Sequence, residues 1–231
     1  MENEKLKVEV TIPGVSDLGE ATGKAMDLGI DAVKGFLTAT CKPILQEFGL
    51  FGKDIVREYR VLRAINFVKK AQAKIQEYNI DPTYSINPKL ALTIFENASL
   101  EPSEELQELW AGLYAKSLSP DGTDDEAIMY IDTLKKLTAS QLKLLLFASK
   151  IPRPWRIEIT EDEIKGIMAL DDFERIKREV FNLRSQRLLG NAQGIMQQGD
   201  SVWENYRDGK ISIWFSIYGQ GLLTKCGIDV A

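Results

Sequence analysis

Asn87-Pro-Lys-Leu-Ala-Leu-Thr-Ile-Phe-Glu-Asn-Ala98, followed later by Thr138-Ala-Ser-Gln-Leu-Lys-Leu-Leu-Leu146, sets the fold class. An asparagine before a proline marks a helix start: the side chain caps, and the ring occupies the first helical position, where no N–H is needed. Thr138 and Gln141 have capping-box spacing, in which hydroxyl and amide satisfy two orphan backbone donors. Thr123-Asp-Asp-Glu126 has the same spacing, and Pro102 after Glu101 signals a further start. Apolar residues follow each signal at helical intervals: Leu90, Ile94 and Ala98; Leu106, Leu109, Leu113 and Leu118; Ile128, Ile131 and Leu134; Leu142, Leu145 and Leu146. The expected fold is mainly α, with a multi-helix domain over 14–150.

Upstream, residues 53–79 read as one long helix with Ile55, Tyr59, Leu62, Ile65, Val68, Ala71, Ile75 and Tyr78 near one face. It is the most basic segment: Lys53, Arg57, Arg60, Arg63, Lys69, Lys70 and Lys74 stand against Asp54, Glu58 and Glu77. These cations either pair with acidic neighbours or contact phosphate or a partner. Pro43 marks a break, and residues 42–50 read as a short helix. Residues 16–40 form another, with a small-residue stripe of Leu18, Ala21, Ala25, Leu28, Ala32 and Gly35, smoothed by Gly19, Gly23 and Gly29. Small residues admit a close partner helix and weaken an isolated one. Packing on the same domain is the simpler reading. Gly19 and Gly23 also mark an interface for self-association or a membrane surface. Residues 1–13 alternate weakly and read as a strand or arm.

Downstream, Pro152 and Pro154 form a linker to a second unit, 151–231. Ile157 and Ile159 begin it as a strand. Thr160-Glu-Asp-Glu163 is a capping box, and Asp171-Asp-Phe-Glu174 resembles one, opening a helix with Phe173, Ile176, Val180 and Leu183 inward. Asp208-Gly209 is a hairpin turn signal within 201–217. Counting outward pairs Tyr206 with Ile211 and sets Trp203 opposite Trp214 on a wetter face. Ile217 to Cys226 folds back as a short helix. Strand, two helices and hairpin together suggest a small α+β winged-helix-like module.

The chain has no histidine, so Ser-His-Asp and Cys-His machinery and His-ligated metal sites are excluded. Cys41 and Cys226 lie in no metal-type spacing, and a reducing cytosol is the simplest context. Asp121 to Glu126 lacks the ligand alternation of an EF-hand. Gly219-Gln-Gly221 is too short for a dinucleotide fingerprint, and no Walker-type lysine motif exists. No catalytic residue, cofactor or metal is expected. A net charge of −5 disfavours nucleic acid as a partner. No apolar run is long enough to span a bilayer, and the charged start Met1 to Lys5 does not read as a secretory signal.

The block Phe95-Glu-Asn-Ala-Ser-Leu-Glu-Pro-Ser-Glu-Glu-Leu-Gln-Glu-Leu-Trp110-Ala-Gly-Leu-Tyr-Ala115, with the later Ile131-Asp-Thr-Leu-Lys-Lys-Leu-Thr-Ala-Ser-Gln-Leu142, resembles the Abi-alpha family of bacterial abortive-infection proteins. The likeness is strongest over 88–147. The tail from Ser216 to Cys226 follows that family's closing pattern less well, with Ser where Thr is usual. The resemblance implies phage defence and carries over no catalytic residue. The expected protein is non-enzymatic and cytoplasmic, with peripheral attachment to the inner membrane as an option. It acts through a protein partner or its own copies, with a membrane surface as a second target. A winged-helix nucleic-acid-binding regulator is the alternative.

Overall fold

The structure is a computed structural model describing residues 22–40, 55–123, 126–151, 156–190, 206–207 and 210–230. Among these the order is α1 (Thr22–Thr40), α2 (Ile55–Glu77), α3 (Pro88–Ala98), α4 (Glu104–Lys116), α5 (Ile128–Leu134), α6 (Ala139–Ser149), β1 (Arg156–Thr160), α7 (Glu161–Met168), α8 (Phe173–Ser185), β2 (Leu189–Gly190), β3 (Tyr206–Arg207), β4 (Lys210–Phe215) and α9 (Ile217–Lys225). The fold is mainly α with a small antiparallel sheet. The arm at 1–13 and the helix expected over 42–50 lie outside the described residues.

Helix α4 is the hub. From Leu106 to Ala115 every residue but Glu108 is buried. Such all-round burial requires neighbours on several sides, and α2, α3, α6 and α9 supply them. Each large apolar side chain taken from water there stabilises by about 1.5–3 kcal/mol. Gly112 makes the last contact possible, because a side chain there would overlap the Cys226 carbonyl. Buried Gln107 donates to the Ala98 and Glu101 carbonyls and so ties α4 to the end of α3. Phe67 of α2 meets Phe95 and Tyr114 edge-on, with centroids 6.1 and 5.7 Å apart, a favoured aromatic arrangement.

Several sequence expectations hold. Asn87 caps α3 with Pro88 at its first turn. Thr138/Gln141 and Thr160/Glu163 form complete capping boxes. Tyr206 pairs with Ile211 and Arg207 with Lys210, the expected hairpin register. Ile211, Ile213 and Phe215 face the core, while Ser212 and Trp214 lie on the wetter side. Residues 208–209 and Trp203 lie outside the described residues, so the Trp203–Trp214 pair does too.

Other expectations are corrected. Thr123–Glu126 caps nothing: α5 starts at Ile128 after Ala127, without a side-chain cap. Asp121 instead accepts from the Thr123 N–H at 3.1 Å, and Glu126 reaches Lys225 of α9 at 3.0 Å. Tertiary pairing has claimed the box's carboxylate. Helix α4 is capped by Ser103, one residue past Pro102, and α8 by Asp172 in place of a box from Asp171. Leu62 and Ile128 point outward, whereas Val61, Phe67 and Tyr130 are buried. In α1 the packed stripe is Gly29, Val33, Phe36 and Leu37; of the expected stripe Gly35 is exposed and Ala32 half-buried, while Leu18, Ala21 and the side chains of Ala25 and Leu28 lie outside the described residues. Its fit against α2 comes from Gly29, where a side chain would run into Ile65.

The sheet is built around β4. Strand β1 covers one edge from Lys210 to Trp214, leaving β3 and β2 to share the other. Helices α7 and α8 pack near α6, and one hydrophobic cluster runs from Val33 through Leu145 to Leu223 and Cys226.

Candidate functional site

The basic face of α2 was the first candidate. Lys53 lies outside the described residues; Arg57 sits in α2, but its side chain does not belong to them. Arg60 Nε donates to Ser99 Oγ at 3.2 Å and Arg63 Nη1 to the Leu100 carbonyl at 3.1 Å. Both therefore bind the C-terminal end of α3, where unsatisfied carbonyls attract cations. Lys70 bridges Glu104 at 2.9 Å and Glu108 at 2.5 Å on α4. Burial opposes its charge, but the hydrogen bonds it donates to Glu108 and Glu104, with their negative charge, outweigh that and raise its pKa. Lys74 pairs with Glu77 at 2.9 Å. The structure thus brings Arg60, Arg63, Lys70 and Lys74 onto intramolecular partners.

The interface candidates scatter. Gly19 lies outside the described residues and Gly23 falls in the first turn of α1. Trp214 sits in β4 over Gly190 of β2. The cations of α8 are also engaged: Lys177 meets Glu174 at 2.8 Å and lies 4.6 Å from the Phe173 ring centroid, and Arg184 donates to the Ser212 carbonyl at 3.0 Å. Cys226 is buried, which pushes its thiol pKa up and makes it a poor nucleophile. Among the described residues, no group of three or more histidine, cysteine, aspartate or glutamate side chains could hold a metal ion. Within the same residues no helix is long and apolar enough to cross a membrane.

A different surface stands out. Helix α6 buries Leu142, Leu144, Leu145 and Ala148, yet leaves Phe147 39% exposed. The ring borders a cleft of about 360 Å³ lined also by Glu158 and Ile159 of β1 and by Asp162, Glu163, Gly166 and Ile167 of α7. Lys143 and Lys150 are exposed at positions i−4 and i+3 from Phe147, so all three share one helix face. The β1–α7 side of the cleft carries Glu158, Asp162 and Glu163. Glu163 accepts from the Thr160 N–H at 2.9 Å and hydroxyl at 2.7 Å, bonds that hold its pKa down and keep it ionised. Lys165 is paired with Glu161 at 2.7 Å, and Lys210 lies near Glu163.

Sequence reading placed Leu146 inward, where it packs against the core, but left Phe147 unremarked. The usable signal was a large aromatic residue on the charged face of Lys143 and Lys150. No curated protein and no solved structure matches the chain. A model of the family described as Abortive infection alpha does match, over residues 57–196, a span holding α3 to α8, most of α2 and the whole cleft. The chain belongs to the Abortive infection alpha family.

Proposed function

We propose that this protein acts in abortive infection through contact, without a reaction of its own, and that the cleft between α6 and α7 is its contact face. The observation carrying this reading is Phe147. A helix buried on its other faces leaves one aromatic ring to water beside an open, mostly apolar cleft. An exposed aromatic residue beside carboxylates has the composition of an interface anchor. The partner is a protein or another copy of the chain. A membrane surface is the second target, reached through the small-residue N-terminal helix.

The test is phage challenge of a host expressing the native chain or Phe147→Ser. Native protein should lower plating efficiency, and the variant should restore it while accumulating to the same level. Full protection by the variant overturns the contact face.

The order β1-α7-α8 followed by the strands around β4 favours one alternative, a winged-helix nucleic-acid binder. Pairing of Lys177 and Arg184 within the chain weakens it. A mobility shift at low salt, where phosphate contacts are strongest, separates the two readings.

A further inference from the structure

We propose that the outward face of α8 docks in the major groove of duplex DNA. The inference rests on the second reading above, the winged-helix one, and is independent of the cleft at Phe147.

Helices α7 and α8 are joined by residues 169–172, with Ala169 in the left-handed region at φ 52°. Such a short connection is that of a helix-turn-helix, whose second helix enters the groove. Ile176, Val180 and Leu183 hold α8 to the core on one side. Strands β2 and β4 follow it, in a sheet of order β1-β4-β2.

The cations of α8 divide by side. Lys177 and Arg184 are held within the fold. Arg175, Arg178 and Arg187 are exposed, together with Phe181, Asn182 and Ser185. From Arg175 to Arg187 no carboxylate is exposed. Glu179, the one acid in that stretch, is half-buried and accepts from Gln141 Nε2 at 2.7 Å. Arg175, Arg178, Asn182 and Ser185 follow at intervals of three, four and three residues, so they form one row along the helix. Arg175 and Arg178 lie 3.9 Å from Glu179 and Asp172, with side chains 57% and 69% exposed. At that distance neither pair is a hydrogen bond, and ion pairs in water hold little. A phosphate or a base edge can therefore take the guanidinium donors.

The chemistry of the row selects the partner. Arginine binds guanine edges and phosphates, asparagine binds adenine, serine bonds to several bases, and phenylalanine packs on the thymine methyl. This mixture suits the major groove of B-form DNA, which admits a helix; the major groove of duplex RNA is too narrow. Asp171, Asp172 and Glu174 keep the start of α8 off the phosphates, and the whole chain carries −5. Contact is thus limited to a few phosphates, and binding is weak and sensitive to salt.

Fluorescence anisotropy of a labelled mixed-sequence DNA duplex, titrated with the full chain at low salt, tests this. The native chain should bind. Log affinity should fall against log salt with a slope of about −2 to −3, as two or three phosphate contacts require. Arg175→Gln with Arg178→Gln should weaken binding by at least about tenfold and flatten that slope. Arg178→Gln alone, at an exposed site, should weaken it less and decides the matter if the double variant fails to fold. A native chain that does not bind at low salt overturns the proposal, as does native affinity in the folded arginine variants. Equal or tighter binding of an RNA duplex of the same sequence removes the major groove. Poly-glutamate bound as tightly as the duplex assigns the face to an acidic protein and overturns the proposal too. Loss of phage protection in Phe147→Ser, with no DNA binding by the native chain, would leave the cleft standing and reject this face.

Discussion

Helices α2 and α6 each carry lysines and a phenylalanine, and they use them in opposite ways. On α2, Phe67 is fully buried between Phe95 and Tyr114, and Lys70 is held by Glu104 and Glu108. On α6, Phe147 is 39% exposed, and Lys143 and Lys150 are exposed on the same helix face. The more basic helix is thus the structural one, and the ordinary leucine-rich helix carries the candidate surface. Residue type does not separate these cases. What separates them is whether a neighbouring element reaches the side chain, as α4 does for α2.

The largest expected effect that tests this contrast is Phe67→Ala. Emptying a fully buried aromatic site should cost about 3–5 kcal/mol in urea or thermal unfolding. A loss under about 1 kcal/mol would break the structural assignment of α2.

Lys70→Met comes next. Its carboxylate partners are largely solvent-exposed, so screening limits the loss to about 1 kcal/mol or less. The sign with pH is defined. The folded-state pKa of Lys70 is raised, so its stabilisation is complete below the unfolded value and fades as pH rises through the folded one. The variant should flatten that part of the alkaline slope; an unchanged slope would remove the bridge from the account.

Glu163→Gln should have a smaller effect, of opposite sign in pH. The hydrogen bonds from Thr160 lower the Glu163 pKa, so its contribution is present above the unfolded carboxylate value and is lost as pH falls through the folded one. Glutamine retains the cap geometry without the charge. Native and variant stabilities should differ at neutral pH and converge in acid; a constant gap would assign the effect to geometry alone.

Phe147→Ala should have the smallest effect on stability, within about 0.5 kcal/mol, while reducing phage protection. A large destabilisation would make Phe147 a core residue and end the contrast with Phe67.

Much of this was readable from short-range chemistry. Asn87-Pro88 and the boxes at Thr138 and Thr160 place their helices because a cap is a bond between residues three apart. The Tyr206–Ile211 register follows from the turn. The failures share one cause. The Thr123 box lost Glu126 to Lys225, far along the chain, and the buried face of α2 keeps Ile65, Val68 and Ala71 but takes in Val61 and Phe67 and leaves Leu62 outside. Phe147 was not recognised because its exposure depends on what β1 and α7 leave uncovered.

The sequence by itself determined that the chain is mainly helical, where most helices begin, which strand residues face the core, and that histidine chemistry is absent. Hydrogen bonds over three or four residues and periodic burial suffice for these, and both are local. Only the tertiary structure decided which cations are paired within the chain, why Gly112 must lack a side chain, and that Phe147 is left partly in water. Those outcomes depend on approach between elements distant in sequence, and no local pattern encodes that distance.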